Sequence, residues 1–259
     1  MFEGRWNWTE LSRVIPLVEV RRYPHLPWSK VGLSRNPTLT VDDIQSLSEI
    51  DGEWDWDWIS SRISLVDVRR YPSLSWNKYG LSYNPTLTVD DIQSLTDKNG
   101  KWDWNWISSR IPLSDVRKNP DLPWSKAGLS WNPTVTIHDI QSLSEIDGKW
   151  DWNGVSKVIP LVDVRRYPDL PWSKKGLSQN PTLTIHDILS LSKIVGKWNW
   201  YTISERIPII DVYTHSNLTW NRSQLSANKN IRVGDLIAWH ELPPSMYKRW
   251  QYPTDVVIV

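Results

Sequence analysis

Apolar residues recur at a spacing of three along much of the chain. Ile137, Ile140 and Leu143 form one such stripe, and Leu161, Val164 and Tyr167 form another. That spacing suits a short helix with one apolar face. A half-buried strand would alternate with period two instead. The punctuation agrees. Pro16, Pro112, Pro160 and Pro208 stand where one helix is expected to open, and Pro27, Pro123 and Pro171 where another is, because proline is tolerated in a first turn. Asn36-Pro37, Asn84-Pro85, Asn132-Pro133 and Asn180-Pro181 should close the preceding helix, since the residue before proline avoids the α region. Thr40 and Asp43, with their copies, have the spacing of a capping box with Asp in place of Glu. Gly52, Gly100, Gly148 and Gly196 read as helix stops.

These elements repeat. Trp8, Trp56, Trp104, Trp152 and Trp200 are each 48 residues apart, and so are Trp28, Trp76, Trp124, Trp172 and Trp220. Copies begin near Trp6, Trp54, Trp102, Trp150 and Trp198, and a fixed period of this size signals a solenoid, a propeller or an array. Each copy holds two related halves of about 24 residues, so the halves number ten. Four helices of roughly 6 to 10 residues are expected per copy, too short to persist alone. Their stability must come from stacking on neighbours. The expected fold is therefore an all-α solenoid of five 48-residue repeats, forming one domain over 1–245 with a C-terminal tail over 246–259. A five-bladed β-propeller is the alternative. Only 11 glycines, prolines at helix starts and the spacing of three argue against it. The fifth copy drifts, with Tyr213-Thr214-His215 for Arg-Arg-Tyr and Trp239 for Leu, as a terminal cap would. The tail, ending in Asp255 to Val259, is expected to fold back on that cap or to pair as a strand with another chain. The first copy starts almost at Met1, with little beyond Phe2 to cover it, so association of copies through an uncapped end is expected.

Composition sharpens this picture in one respect. The chain has 20 Trp and 9 Tyr but one Phe. A core needing only apolar bulk would use Phe freely, so the need is for flat area together with an N–H donor. Gly32, Gly80, Gly128 and Gly176 follow the second-half Trp by four residues. On one helix they would share its face and admit a close backbone or indole; Gln224 replaces this Gly in the last copy. Net charge is +1, from 30 basic and 29 acidic residues, which gives no bulk electrostatic case for nucleic acid or an anionic membrane. Cysteine is absent, which excludes disulfides and thiolate metal sites. No apolar run reaches the roughly 18 to 20 residues of a membrane span. The start, MFEGRWNW, has no apolar signal core, so secretion is not expected.

Trp102-Asp103-Trp104, Ile107-Ser108, Leu122-Pro123-Trp124, Leu129-Ser130 and Asn132-Pro133, with their copies, form a pattern that resembles the tryptophan-rich repeats of large protein families of giant DNA viruses of amoebae. The resemblance covers about Trp6 to Glu241. It implies a viral protein made in the infected host, in the cytoplasm, viral factory or nucleus or carried in the virion, and names no activity. One departure is clear: the first half carries Arg-Ile-Pro or Arg-Ile-Ser where Asn-Pro would be usual, so the two halves are not strictly equivalent.

Candidate chemistry is sparse. The histidines are His25, His138, His186, His215 and His240. His138-Asp139 and His186-Asp187 look like metal or general-base pairs. Their equivalents are Asp42-Asp43 and Asp90-Asp91, which makes this a drifting surface position. The Ser12, Ser60, Ser108, Ser156 and Ser204 series reads as helix hydrogen bonding. No Ser-His-Asp set falls in one copy and no glycine-rich phosphate loop occurs, so neither catalysis, a cofactor nor a metal is expected. Glu19, Asp67, Asp115, Asp163 and Asp211 recur near Arg21, Arg69, Arg117 and Arg165, as first-turn dipole compensation and inter-repeat ion pairs would.

Two positions four apart vary while their surroundings repeat: Val31/Arg35, Tyr79/Tyr83, Ala127/Trp131, Lys175/Gln179 and Ser223/Ala227. On a helix each pair shares a face. Interface hot spots favour Tyr, Trp and Arg. Arg35, Tyr79, Tyr83, Trp131, Lys175 and Gln179 are therefore candidate contacts for a viral or host protein, and the expected function is a non-enzymatic interaction scaffold. The plain alternative is an unconstrained solvent face. Nucleic acid is the second choice of partner. Arg21, Arg22, Arg69, Arg70, Arg117, Lys118, Arg165 and Arg166 form a periodic basic series beside Tyr23, Tyr71 and Tyr167, joined by Lys30, Lys78, Lys126 and Lys174. Helical repeats can read single strands with such groups. Acidic residues at the same interval oppose that reading.

Overall fold

The structure, a computed structural model, describes residues 6–232. These residues form nineteen short helices and no strand; the one β-bridge among them joins Asn77 and Asn99. The fold is all-α, and the propeller alternative is set aside. The first repeat contributes α1 (Trp8–Val14), α2 (Leu17–Arg22), α3 (Lys30–Ser34) and α4 (Val41–Ser46). The second contributes α5 (Trp56–Ser60), α6 (Leu65–Arg70), α7 (Lys78–Ser82) and α8 (Val89–Ser94). The third contributes α9 (Trp104–Ser108), α10 (Leu113–Lys118), α11 (Lys126–Leu129) and α12 (Ile137–Ser142). The fourth contributes α13 (Trp152–Val158), α14 (Leu161–Arg166), α15 (Lys174–Leu177) and α16 (Ile185–Ser190). The fifth contributes α17 (Trp200–Ser204), α18 (Ile209–Thr214) and α19 (Arg222–Ser226). Trp239, His240 and the tail over 246–259 lie outside the described residues, as does Phe2.

The chain divides into two compact units. One runs up to Asn132 and adds Glu145–Gly148; the other holds Pro133–Ser144 and the residues from Lys149 on. Each unit is a stretch of solenoid in which successive half-repeats pack on one another. In the first, α1 packs on α3, α3 on α5, α5 on α7, α7 on α9 and α9 on α11. In the second, α13 packs on α15 and α17 on α19.

The helices are shorter than expected, at 4 to 7 residues, and most open on a side-chain cap; α2, α10, α14 and α18 open on proline without one. Thr40, Thr88, Thr136 and Thr184 form full capping boxes with Asp43, Asp91, Asp139 and Asp187. Pro16, Pro112, Pro160 and Pro208 are the N-cap residues of α2, α10, α14 and α18, as the punctuation predicts. Pro27 and its copies do not open helices. Trp28 N–H donates to Leu26 O across Pro27 at 2.7 Å, a three-residue turn, and α3 begins only after Ser29, whose side chain caps it. Trp28 therefore stands outside the helix that holds Gly32. Gly52, Gly100, Gly148 and Gly196 are not helix stops either. They take positive φ of 97°, 78°, 95° and 108° in the loops that lead into the next repeat, a conformation that disfavours any side chain.

Five features couple the half-repeats. First, buried serines accept the N-cap N–H of the following half-repeat. Ser12 accepts from Ser29, Ser34 from Asp55, Ser60 from Asn77, Ser82 from Asp103 and Ser108 from Ser125, at 2.8 to 3.2 Å. In the second unit Ser156, Ser178 and Ser204 accept from Ser173, Asn199 and Asn221 in the same way, at 2.8 to 2.9 Å. Second, a buried Asn reaches back to the helix end before it. Asn36 Nδ2 donates to Ser12 O and Ile15 O at 3.0 and 2.8 Å, and Asn84, Asn132, Asn180 and Asn228 repeat this on their own Ser and Ile carbonyls.

Third, Arg62, Arg110 and Arg206 stand in the first half where Asn stands in the second. Arg62 donates to Asn36 O, Arg110 to Asn84 O, and Arg206 to Ser178 O at 2.6 Å. The Arg-Ile sequence is thus a longer-reaching version of Asn-Pro. Burial pulls the pKa of all three guanidinium groups down from the ordinary value. Fourth, Gly lets α11 lie directly on α9: a Cβ at Gly128 would collide with Asn105 O and come within 2.9 Å of Ser108 Cβ.

Fifth, Trp supplies both area and a donor. Trp28, Trp76, Trp124, Trp172 and Trp220 are buried, each edge-on to the first-half Trp of its own repeat, with centroids 5.1 to 5.3 Å apart. Each Nε1–H donates at 2.7 to 2.9 Å to the carbonyl of the residue that follows α2, α6, α10, α14 or α18. The same carbonyl also accepts the backbone N–H three residues on, from Leu26, Leu74, Leu122, Leu170 or Leu218, at 3.0 to 3.3 Å. The indole thus adds a second donor that ties the Trp to the helix end; Phe would lose this tie and part of the buried area.

Trp124→Phe is expected to lower stability by about 1 to 3 kcal/mol, the cost of one lost hydrogen bond plus a small cavity; the Asn119 carbonyl keeps its bond from Leu122 N–H. Gly128→Ala is expected to cost about 1 to 3 kcal/mol through overpacking. Urea unfolding of the two variants measures both.

Candidate functional site

The variable positions emerge on one side of the second-half helices. Val31, Arg35, Tyr79, Ala127, Trp131, Lys175, Ser223 and Ala227 are exposed, and Tyr83 and Gln179 half-buried, as the spacing of four predicts. Backbone geometry explains why. Arg35 and Tyr83 are the C-cap residues of α3 and α7, still in helical conformation, so their side chains remain in line with Val31 and Tyr79.

The C-cap residue also covers the first turn of the next Trp helix. Arg35 lies over the Trp58 ring at 5.7 Å and pairs with Asp55 Oδ2 at 3.4 Å. Tyr83 stacks on Trp106, with centroids 5.0 Å apart and planes 27° apart. Its hydroxyl donates to Asp103 Oδ2 at 2.8 Å and lies 3.4 Å from the Tyr79 hydroxyl. The Tyr79 and Tyr83 rings are 5.3 Å apart. Hydrogen bonding to Tyr79 and Asp103 pushes the Tyr83 phenol above its ordinary pKa, so it stays a neutral donor. Asp103 is fixed in turn, because its Oδ1 caps α9 by accepting Trp106 N–H at 3.0 Å.

On the other side of Trp106 a groove of about 460 Å³ opens between α9 and α11. Trp106 and Trp131 line it together with Ala127 and Gly128, and Asp103, Asn105 and Ser109 supply its polar groups. Tyr79, Trp106 and Trp131 keep 49%, 45% and 41% of their surface in solvent. The result is an open aromatic face on the first unit: Tyr79, Tyr83, Trp106, groove, Trp131. Trp106 is absent from the expected set. It lies in the repeated Trp-x-Trp run, yet its position does vary between copies: Glu10, Trp58, Trp106, Gly154, Thr202. That variation was the available signal. Lys175 and Gln179 hold the same register in the second unit without an aromatic neighbour in the pair; the Gln179 carbonyl accepts from Arg206 at 3.3 Å.

Most of the basic series is engaged within the fold. Arg21, Arg69 and Arg165 pair with Asp43, Asp91 and Asp187, so the ion pair goes from α2, α6 and α14 to the capping-box Asp of α4, α8 and α16 and not to the nearby Glu19 series. Arg22, Arg70 and Arg166 lie over the rings of Tyr23, Tyr71 and Tyr167 at 5.4 to 5.7 Å. Arg117 and Lys118 are exposed. Lys30, Lys78 and Lys174 donate to the carbonyls of Ser48, Thr96 and Ser192 at 2.8 to 3.1 Å. His138 and His186 sit exposed on α12 and α16. Among the described residues no helix is long and apolar enough to cross a membrane.

Burial pushes the Asp91 and Asp187 carboxyls up, but hydrogen bonds from Thr88 or Thr184 and the paired Arg outweigh it, and both end below the ordinary carboxylate range. A depressed pKa in the folded state favours folding above the unfolded value, about 3.9, and that contribution is lost as pH falls through the folded value. Thermal melts from pH 7 downward should therefore show stability level until about pH 4 and falling below it. Asp91→Asn should lower the melting temperature at pH 7 and flatten the acid decline.

Comparison of the chain with family models, curated proteins and solved structures returned no match.

Proposed function

We propose that the chain is a non-enzymatic repeat scaffold that binds a protein partner through the aromatic face of its second and third repeats. The observation that carries this reading is that exposed Trp106 and Trp131 line one groove, with exposed Tyr79 beside them; Trp58, the copy of Trp106, is also exposed but has Arg35 over its ring. Large exposed aromatics grouped around a groove are the residues that dominate binding energy at protein interfaces. They stand on rigid helices, and Tyr83, Asp103 and Trp106 hold one another in place, so little ordering cost opposes association. The resemblance of the Trp repeats to giant-virus families supports a partner of viral or host origin inside an infected cell. Nucleic acid draws less support, because Arg21, Arg69 and Arg165 are already paired with carboxylates.

Tyr83→Ala combined with Trp131→Ala is the test. Trp131 is exposed and Tyr83 half-buried against Trp106, so the double variant should lose about 1 to 2 kcal/mol of stability while the fold is kept, as circular dichroism checks. Proteins retained by the wild-type chain from infected-cell extract should be lost by the double variant. Unchanged retention, together with salt-sensitive retardation of single-stranded RNA or DNA that Arg22→Ala and Arg70→Ala abolish, would replace this reading with nucleic-acid binding.

A further inference from the structure

The second and third repeats place different residues at one register, and the difference shows what the groove accepts. In the second repeat the position before the helix-packing glycine is Tyr79, and its ring lies 5.3 Å from that of Tyr83. In the third repeat the same two positions are Ala127 and Trp131. Gly80 and Gly128 sit against their partner helices in the same way, with Asp57 O and Asn105 O as the facing carbonyls. The two backbones are therefore matched, and a Cβ at either site points the same way. Ala127 stops where Tyr79 continues into a phenol. The space beside Trp131 that a tyrosine ring would take is part of the open groove of about 460 Å³.

We propose that this groove takes one tyrosine-type ring from a protein partner, set against Trp131 as Tyr79 is set against Tyr83; this rests on the scaffold reading above. The charge of the lining defines the ring further. Its one charged side chain is Asp103, beside the amide of Asn105 and the hydroxyl of Ser109. A neutral phenol can donate to such groups. A ring carrying phosphate or sulfate would bring a second anion next to Asp103, and like charges at an interface are strongly disfavoured. The groove is thus a reader of unmodified tyrosine, and phosphorylation of the partner residue would release it.

N-acetyl-tyrosinamide is the probe, titrated into the full chain while the indole N–H signals of Trp106 and Trp131 are followed by NMR. Saturable shifts of both are expected, with a Kd of about 1 mM for so small a ligand. The phosphorylated probe should bind at least about tenfold more weakly. Ala127→Tyr should fold as the wild type does, since the second repeat carries Tyr at that register, and should abolish the shifts by filling the groove from within. Trp131→Ala, followed at Trp106, should abolish them by removing the wall, and it decides the matter if Ala127→Tyr does not fold. Undiminished binding to either variant, equal binding of the phosphorylated probe, or saturable binding of methyl glucoside in place of the tyrosine probe would overturn the proposal. If infected-cell proteins are still retained while the probe moves neither indole, this inference fails and the scaffold reading stands.

Discussion

A backbone N–H at a helix N-cap has no partner within its own helix. In this chain the groups that begin the Trp and Lys helices are buried against the previous half-repeat, and an unpaired buried N–H would cost about 1 to 3 kcal/mol. The Ser hydroxyl of the preceding half-repeat accepts it, as Ser34 does for Asp55 and Ser82 for Asp103. The rest of the architecture accommodates this bond. Where the Lys helix packs on the Trp helix of its own repeat, Ser12, Ser60, Ser108 and Ser156 make the bond, and Gly32, Gly80, Gly128 and Gly176 permit the close approach to those serines. The fifth repeat separates the two requirements. Gln224 replaces the glycine there, yet Ser204 still accepts from Asn221 and Asn228 still donates to Ser204 O. The polar link persists where the close packing is relaxed, so the link is the primary constraint and the glycine serves it.

This arrangement explains how helices of 4 to 7 residues persist. Isolated helices of that length do not form in water. Here the Ser, Asn and Arg side chains bond backbone groups at the helix ends, and each buried Trp adds a second donor to a carbonyl that already holds a turn. The same economy accounts for the charge balance. Arg21, Arg69 and Arg165 neutralise the buried capping-box carboxylates, and Lys30, Lys78 and Lys174 hold loop carbonyls. Much of the periodic charge is structural. What is left to vary is a small set of exposed positions after each Ser helix, and there the aromatic face stands.

Features carried by residues close in sequence were legible beforehand. The Trp interval defined the repeats, Thr40 and Asp43 announced their capping box, and Pro16 its helix start. The links between half-repeats were harder, because their partners lie some twenty residues apart and no local pattern marks which carbonyl or N–H a side chain will meet. Asn36 reads as a helix terminator and proves to be a tie to Ser12 and Ile15. Ser12 reads as bonding within its helix and proves to hold Ser29 of the next half-repeat. The candidate site was half visible. Tyr79, Tyr83 and Trp131 stood out by varying where neighbours repeat. Trp106 was hidden by a Trp-rich run whose other members pack inside, and its role comes only from the stacking of Tyr83 upon it.

Native-state hydrogen exchange at the Asp103 amide tests the central claim most directly. That N–H lies between repeats, in no helix of its own, and its acceptor is the Ser82 hydroxyl at 2.8 Å. The account predicts strong protection in the wild type, and selective loss of that protection in Ser82→Ala while the Asp55 amide, held by Ser34, stays protected. An Asp103 amide that exchanges as fast as an open loop in the wild type, or is unaffected by Ser82→Ala, would contradict it.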